Sequence, residues 1–182
     1  IAGTAVSLGQ KTASAAFPVV IASDQTTIPV AIGLPTYLNQ TFGFAIGINQ
    51  PSAGTDNPLI YIRNPNASGK ILYFKFIAYG IAVANVVGTV RVYKDPTVTA
   101  NGTAGTIVPF GTSTTAMLLT TVPTVTANGT LLQTAVSGQN SNSVSVDFAY
   151  EIQIPANSSI LVTGNPGSNN RQAELSLRWI EV

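Results

Sequence analysis

The sequence predicts an all-β protein: an antiparallel β-sandwich of the jelly-roll type with an extended N-terminal arm. Three observations lead there. From Pro58 onward, run after run of apolar residues alternates with polar ones at a period of two, the spacing of a half-buried strand. The runs are separated by turn clusters such as Asn64-Pro65-Asn66-Ala67-Ser68-Gly69 and Asn165-Pro166-Gly167-Ser168. No stretch carries the apolar period of an amphipathic helix. Many short antiparallel strands joined by Gly/Asn/Pro turns pack as a sandwich, and the jelly roll is the expected form.

Residues 1–34, IAGTAVSLGQKTASAAFPVVIASDQTTIPVAIGL, hold only two small strand-like runs, FPVVIA and TIPVAIG, and each contains a proline that a central strand rarely accepts. Fully extended, this segment reaches on the order of 110 Å. It reads as an arm whose Phe17, Val19, Val20, Ile21, Ile28 and Val30 are available to a partner surface. Residues 35–57 read as a bridge ending in a Pro/Ser/Gly/Asp cluster, and 58–182 as the jelly-roll domain.

Within that domain PLIYIRN (58–64) opens the strand series. KILYFKFIAYGIAVA (70–84) follows, with Leu72, Phe74, Phe76 and Ala78 on one face, Ile71, Tyr73, Lys75 and Ile77 on the other, and a bulge or bend expected at Gly80. GTVRVYKD (88–95) places Val90 and Val92 on one face and Thr89, Arg91 and Tyr93 on the other. SVSVDFAYEIQIP (143–155) puts Val144, Val146, Phe148, Tyr150, Ile152 and Ile154 together. ILVTG (160–164) and AELSLRWIEV (173–182) complete the set, the latter turning Leu175, Leu177 and Trp179 toward the core, with Ala173 on that same face.

Between these runs the phrase PTVTANGT occurs twice, at Pro96–Thr103 and Pro123–Thr130. TVTA is β-branched and extended, and Asn-Gly tolerates the positive φ of a tight turn. The repeat reads as two equivalent strand-and-turn elements.

Chemistry is hard to build from this composition. Of 182 residues only 8% are charged, against roughly 25% in an ordinary domain. The formal net charge is +1, and the sequence has neither His nor Cys. That removes the commonest proton shuttle, the thiol nucleophile and zinc sites built on them. Asp147 and Glu151 share a strand face but stand about 13 Å apart along it, wider than either glycosidase mechanism prefers. An enzyme would instead need Asp95, Glu151 and Glu174 to converge in a groove. No cofactor or metal is expected. Lys70, Lys75, Arg91 and Lys94 are spread by strand alternation and read as partners of Asp95 and Glu151 at a protein interface, so direct nucleic-acid binding is not expected. No apolar run is long enough to span a membrane. Glycan recognition keeps candidates: Tyr37, Tyr61, Tyr79, Asn101 and Asn128, with the Asn-rich loops at 140–142 and 165–170.

VSLGQKTASAAFPVVIASDQTTIPV (6–30) resembles a segment that recurs in virion proteins of tailed bacteriophages. NPLIYIRNPNASGKILYFKFI (57–77) and GTVRVYKDPTVTANGT (88–103) resemble jelly-roll domains of the same group. Carried over residue by residue are Gly9-Gln10-Lys11 and Ser23-Asp24-Gln25 in the arm, Asn64-Pro65 and Ser68-Gly69-Lys70 in the first hairpin, and Asn101-Gly102 in the corner. The resemblance implies a non-enzymatic structural protein of a virion assembled in the host cytoplasm. It implies a homotrimer anchored by the arm to the major capsid protein or another virion protein, as a capsid decoration, cement or head-fibre subunit. The alternative is a receptor-binding or baseplate-associated tail protein that recognises a host-surface glycan.

Overall fold

A computed structural model describes residues 40–81, 87–137 and 143–182. All of them belong to one unit of the chain, Leu34–Val182. The arm, with Phe17, Val19, Val20, Ile21, Ile28 and Val30, lies outside the described residues, as do Tyr37 and the 140–142 loop.

The strands are β1 (Thr41–Gln50), β2 (Asn57–Arg63), β3 (Leu72–Ile81), β4 (Thr89–Lys94), β5 (Thr97–Ala100), β6 (Thr103–Ala104), β7 (Val108–Pro109), β8 (Leu118–Thr121), β9 (Thr124–Ala127), β10 (Thr130–Val136), β11 (Ser143–Ile154), β12 (Ser159–Asn165) and β13 (Arg171–Glu181). They form two antiparallel sheets, ordered β11-β3-β13-β1-β7 and β10-β4-β12-β2-β8-β6, and a separate two-stranded ribbon, β5-β9. The all-β antiparallel sandwich expected from the period-two runs is the fold observed. Among the strand pairs, β1 with β13, β2 with β12, β3 with β11 and β4 with β10 nest inside one another in sequence.

The core lies between the sheets. Phe42, Phe44 and Ile48 of β1, Val90 and Val92 of β4, Ile160 and Val162 of β12, and Leu175, Leu177 and Trp179 of β13 are all buried in it. Ala173 joins them, as the alternation of the last strand anticipates. Phe42 stacks on Trp179 with ring centroids 6.2 Å apart. On β11, Val144, Val146 and Ile152 pack against the core and Ile154 is fully buried; the side chains of Phe148 and Tyr150 lie outside the described residues.

Two expectations are corrected. The segment read as a bridge contains β1, a sheet strand paired with β13 along its whole length and with β7 on its other side. Its alternating Gly43, Ala45 and Gly47 imitate loop composition, yet Gly43 is small for a packing reason: a Cβ there would lie 2.8 Å from the Phe110 ring. In β3 the register against β13 shifts between Phe74 and Phe76, so one extra residue, Lys75, is accommodated there rather than at Gly80. Inward positions before it are Leu72 and Phe74; after it they become Ile77, Tyr79 and Ile81. Phe76 and Ala78 therefore leave the inner face on which strict alternation places them.

Candidate functional site

The repeat organises the outer face of the six-stranded sheet. Its copies start at Pro96 and Pro123, an offset of 27. The strand registers obey the same offset. Thr103 pairs with Thr121 as Thr130 pairs with Lys94, and Ala104 with Thr120 as Leu131 with Tyr93. The Asp95 amide donates to Ser159 O and the Val122 amide to Leu59 O, both at 2.9 Å. Thr99 Oγ1 donates to Thr124 O, and Thr126 Oγ1 to Thr97 O. At the centre Tyr61 of β2 faces Leu161 of β12. Exchanging the two halves maps β4 onto β8, β10 onto β6 and β12 onto β2, a local two-fold through that pair. The repeat thus forms two equivalent strand-and-turn elements, as its wording indicated, and its two strands pair with each other.

Each half turns its corner through a strained residue and a glycine. Asp95 and Val122 both have φ of 51°, and Gly102 and Gly129 have φ of 81° and 90°. A Cβ on Gly102 would lie 2.0 Å from Thr121 O, and on Gly129 2.2 Å from Lys94 O. From β4, β5 must reach β6 beside β8, four strand positions away, or ~19 Å at the usual inter-strand spacing. β9 makes the reverse crossing. The ribbon therefore runs over the outer face of the sheet. Leu161 is fully buried although Ile160 and Val162, its neighbours in β12, are the ones that enter the main core.

The two halves differ where their side chains meet this face. In one, Tyr93 Oη donates to Asp56 Oδ2 at 2.7 Å, Arg91 forms an ion pair with Asp56, and the Asn128 side chain lies close enough to Tyr93 to lower its pKa. Burial, and then Asp56, hold the Tyr93 phenol above its ordinary value; hydrogen bonding to Asp56 raises Arg91. In the other half the equivalents of Tyr93, Arg91 and Asn128 are Thr120, Leu118 and Asn101. Here a cavity of about 450 Å³ opens, lined by Tyr61, Arg63, Asn101, Leu118 and Thr120, with Ile107, Met117 and Leu119 deeper in apolar contact. Thr120 Oγ1 is buried without a hydrogen-bond partner.

Of the sequence candidates for glycan contact, Tyr61 and Asn101 meet at this cavity. Asn128 lies in the opposite half against Tyr93. Tyr79 is fully buried, accepting a hydrogen bond from Gln50 Nε2 at 2.9 Å, so it is no surface contact; the extra residue in β3 turned it inward. Arg63 and Thr120 were not legible, because nothing local marks them. Their place follows only from the pairing of β2 with β8.

Of the described carboxylates, Asp56, Asp95 and Glu181 are engaged structurally, and the side chains of Asp147 and Glu151 lie outside the described residues. Asp95 Oδ1 accepts from the Ser159 amide at 2.9 Å, and Asp56 rather than Asp95 pairs with Arg91. Buried Glu181 accepts from Trp179 Nε1 at 3.0 Å, from the Ala116 amide at 2.8 Å and from Thr115 Oγ1. Glu174 stands exposed on β13, in the other sheet from Asp95. Among the described residues no group of three or more His, Cys, Asp or Glu could hold a metal ion, and no helix is long and apolar enough to cross a membrane.

Compared with protein-family models, with curated proteins and with solved structures, the chain matches none.

Proposed function

We propose that the chain is a non-enzymatic structural subunit of a tailed-phage virion, a capsid decoration, cement or head-fibre protein. In this reading the sandwich is a jelly roll, residues 1–34 are the anchoring arm, and three copies assemble on the major capsid protein or another virion protein. The observation that carries the reading is the nested pairing of β1 with β13, β2 with β12, β3 with β11 and β4 with β10. Such nesting is what one long hairpin rolled into two sheets would give, and it supports the jelly-roll reading. The wording of segments 6–30 and 57–77 adds the virion context. An arm of this length would gain sheet hydrogen bonds and buried apolar area by lying along a neighbouring subunit, and most soluble homo-oligomers are closed by rotational symmetry.

The test is to locate the protein in purified particles by cryo-electron microscopy, with and without residues 1–34. Density over capsomers that disappears with the arm supports the proposal. A truncated protein that still incorporates at full occupancy contradicts the anchoring role. The tail-adhesin reading is favoured by one feature, the cavity that joins Tyr61 and Asn101; density confined to the tail would select it.

A further inference from the structure

The local two-fold gives the cavity an internal comparison. At one end of the sheet the equivalent position carries Tyr93, whose side chain is buried and whose hydroxyl donates to Asp56. At the other end the same backbone carries Thr120 in place of Tyr93, and the described residues leave a cavity there. The polar atoms that would receive an occupant are nevertheless present. Asn101, the repeat equivalent of Asn128, lines the space, and no hydrogen bond joins its side chain to another described residue. Thr120 Oγ1 is buried and unpartnered. An orphaned buried hydroxyl is costly unless something completes it.

We propose that this cavity binds a pyranose ring bearing a carboxylate, a uronic-acid-like residue of a glycan. The cavity falls within the size range of small-ligand sites. Tyr61 and Leu118 offer apolar surface to the C–H face of a sugar, and Asn101 and Thr120 supply donors and acceptors for ring hydroxyls. Charge separates the two ends. The Tyr93 end has Asp56 beside its phenol, whereas the open one has Arg63, which makes no ion pair with any described carboxylate. A guanidinium favours a carboxylate through paired N–H···O bonds. A phenol presents one hydroxyl and no charge, so a partner's tyrosine would leave Arg63 unused. The assignment concerns the cavity alone and does not depend on where in a virion the protein sits.

Glucuronate and glucose, titrated against the full isotope-labelled chain by NMR, test it. Glucuronate should bind saturably with a Kd on the order of 1–10 mM, ordinary for one sugar ring, and shift the Asn101 side-chain amide. Glucose should bind several-fold more weakly, and Arg63→Gln should erase that difference. Asn101→Ala, at an exposed position, should weaken glucuronate at least tenfold. Thr120→Tyr installs the residue of the Tyr93 end and should abolish binding. Absence of saturable glucuronate binding would overturn the proposal, as would a folded Thr120→Tyr protein that binds like the parent. So would a cavity that ignores glucuronate and takes N-acetyltyrosinamide, which would mark it as a socket for a protein partner. Equal binding of both sugars would overturn the role given to Arg63.

Discussion

Tyr79 shows how one residue's environment becomes a measurable property. Its phenol is buried among core residues and accepts from Gln50 Nε2. Burial, the larger cause, pushes its pKa above 10.0, and the Gln50 hydrogen bond offsets part of that. The native state therefore holds the proton longer than the unfolded chain does. Below pH 10 the shift has no effect; above it the unfolded chain ionises first and stability falls. Tyr79→Phe should flatten this alkaline decline in denaturant titrations, with Tyr93 adding a contribution of the same sign. At neutral pH the same variant should cost about 1–2 kcal/mol, since Gln50 Nε2 loses its acceptor. Glu181→Ala should cost more, about 2–4 kcal/mol in urea unfolding, because the buried Trp179 N–H and the Ala116 amide both lose their acceptor. Val122 is the reverse case. An exposed β-branched residue at φ 51° is strained, so Val122→Asn should raise stability by about 1 kcal/mol. None of the three was legible from sequence. Tyr79 sits in a perfect alternating run, and only the tertiary register with β13 places the extra residue that turns it inward.

At the scale of elements, the local signals served well and the pairings did not follow from them. Period-two text located β2, β4, β12 and β13, and the inward residues Val90, Val92, Leu175, Leu177 and Trp179 follow from it directly. The Asn-Gly steps mark real corners, with both glycines at positive φ. The text could not say that the two copies of PTVTANGT pair with each other, because strand pairing across the intervening residues is a non-local choice. Nor could it find β1, where Gly43 and Gly47 break the strand signal and a Cβ on Gly43 would meet the Phe110 ring. The two-fold makes an exacting prediction for these elements. Gly102→Ala and Gly129→Ala should each cost about 1–3 kcal/mol from the positive φ alone, with the carbonyl clash adding to it. Their costs should agree within about 1 kcal/mol, as measured by thermal or urea unfolding. A large asymmetry would mean that only one corner is structurally required.

At the scale of the whole molecule, the chain runs out through β1, β2, β3 and β4 and returns through β10, β11, β12 and β13 alongside its outgoing half. The repeat ribbon sits at the far tip of that long hairpin, between β4 and β10. Such a path leaves both ends of the sandwich on neighbouring strands, β1 and β13. The surface is nearly uncharged, and Val108, Phe110, Leu118 and Leu131 are exposed on it. Low charge combined with exposed apolar groups gives little protection against self-association. The cavity was only half visible beforehand: Tyr61 and Asn101 stood out as residue types, but Thr120 matters for what it lacks relative to Tyr93, a comparison that needs the folded sheet. The central claim, a β-domain that works as one subunit of a rotational assembly, is tested most directly by sedimentation equilibrium of the full chain. The account predicts a particle of three times the 18.8 kDa chain mass, persisting at micromolar concentration; a species that stays at the mass of one chain across the accessible concentration range would contradict it.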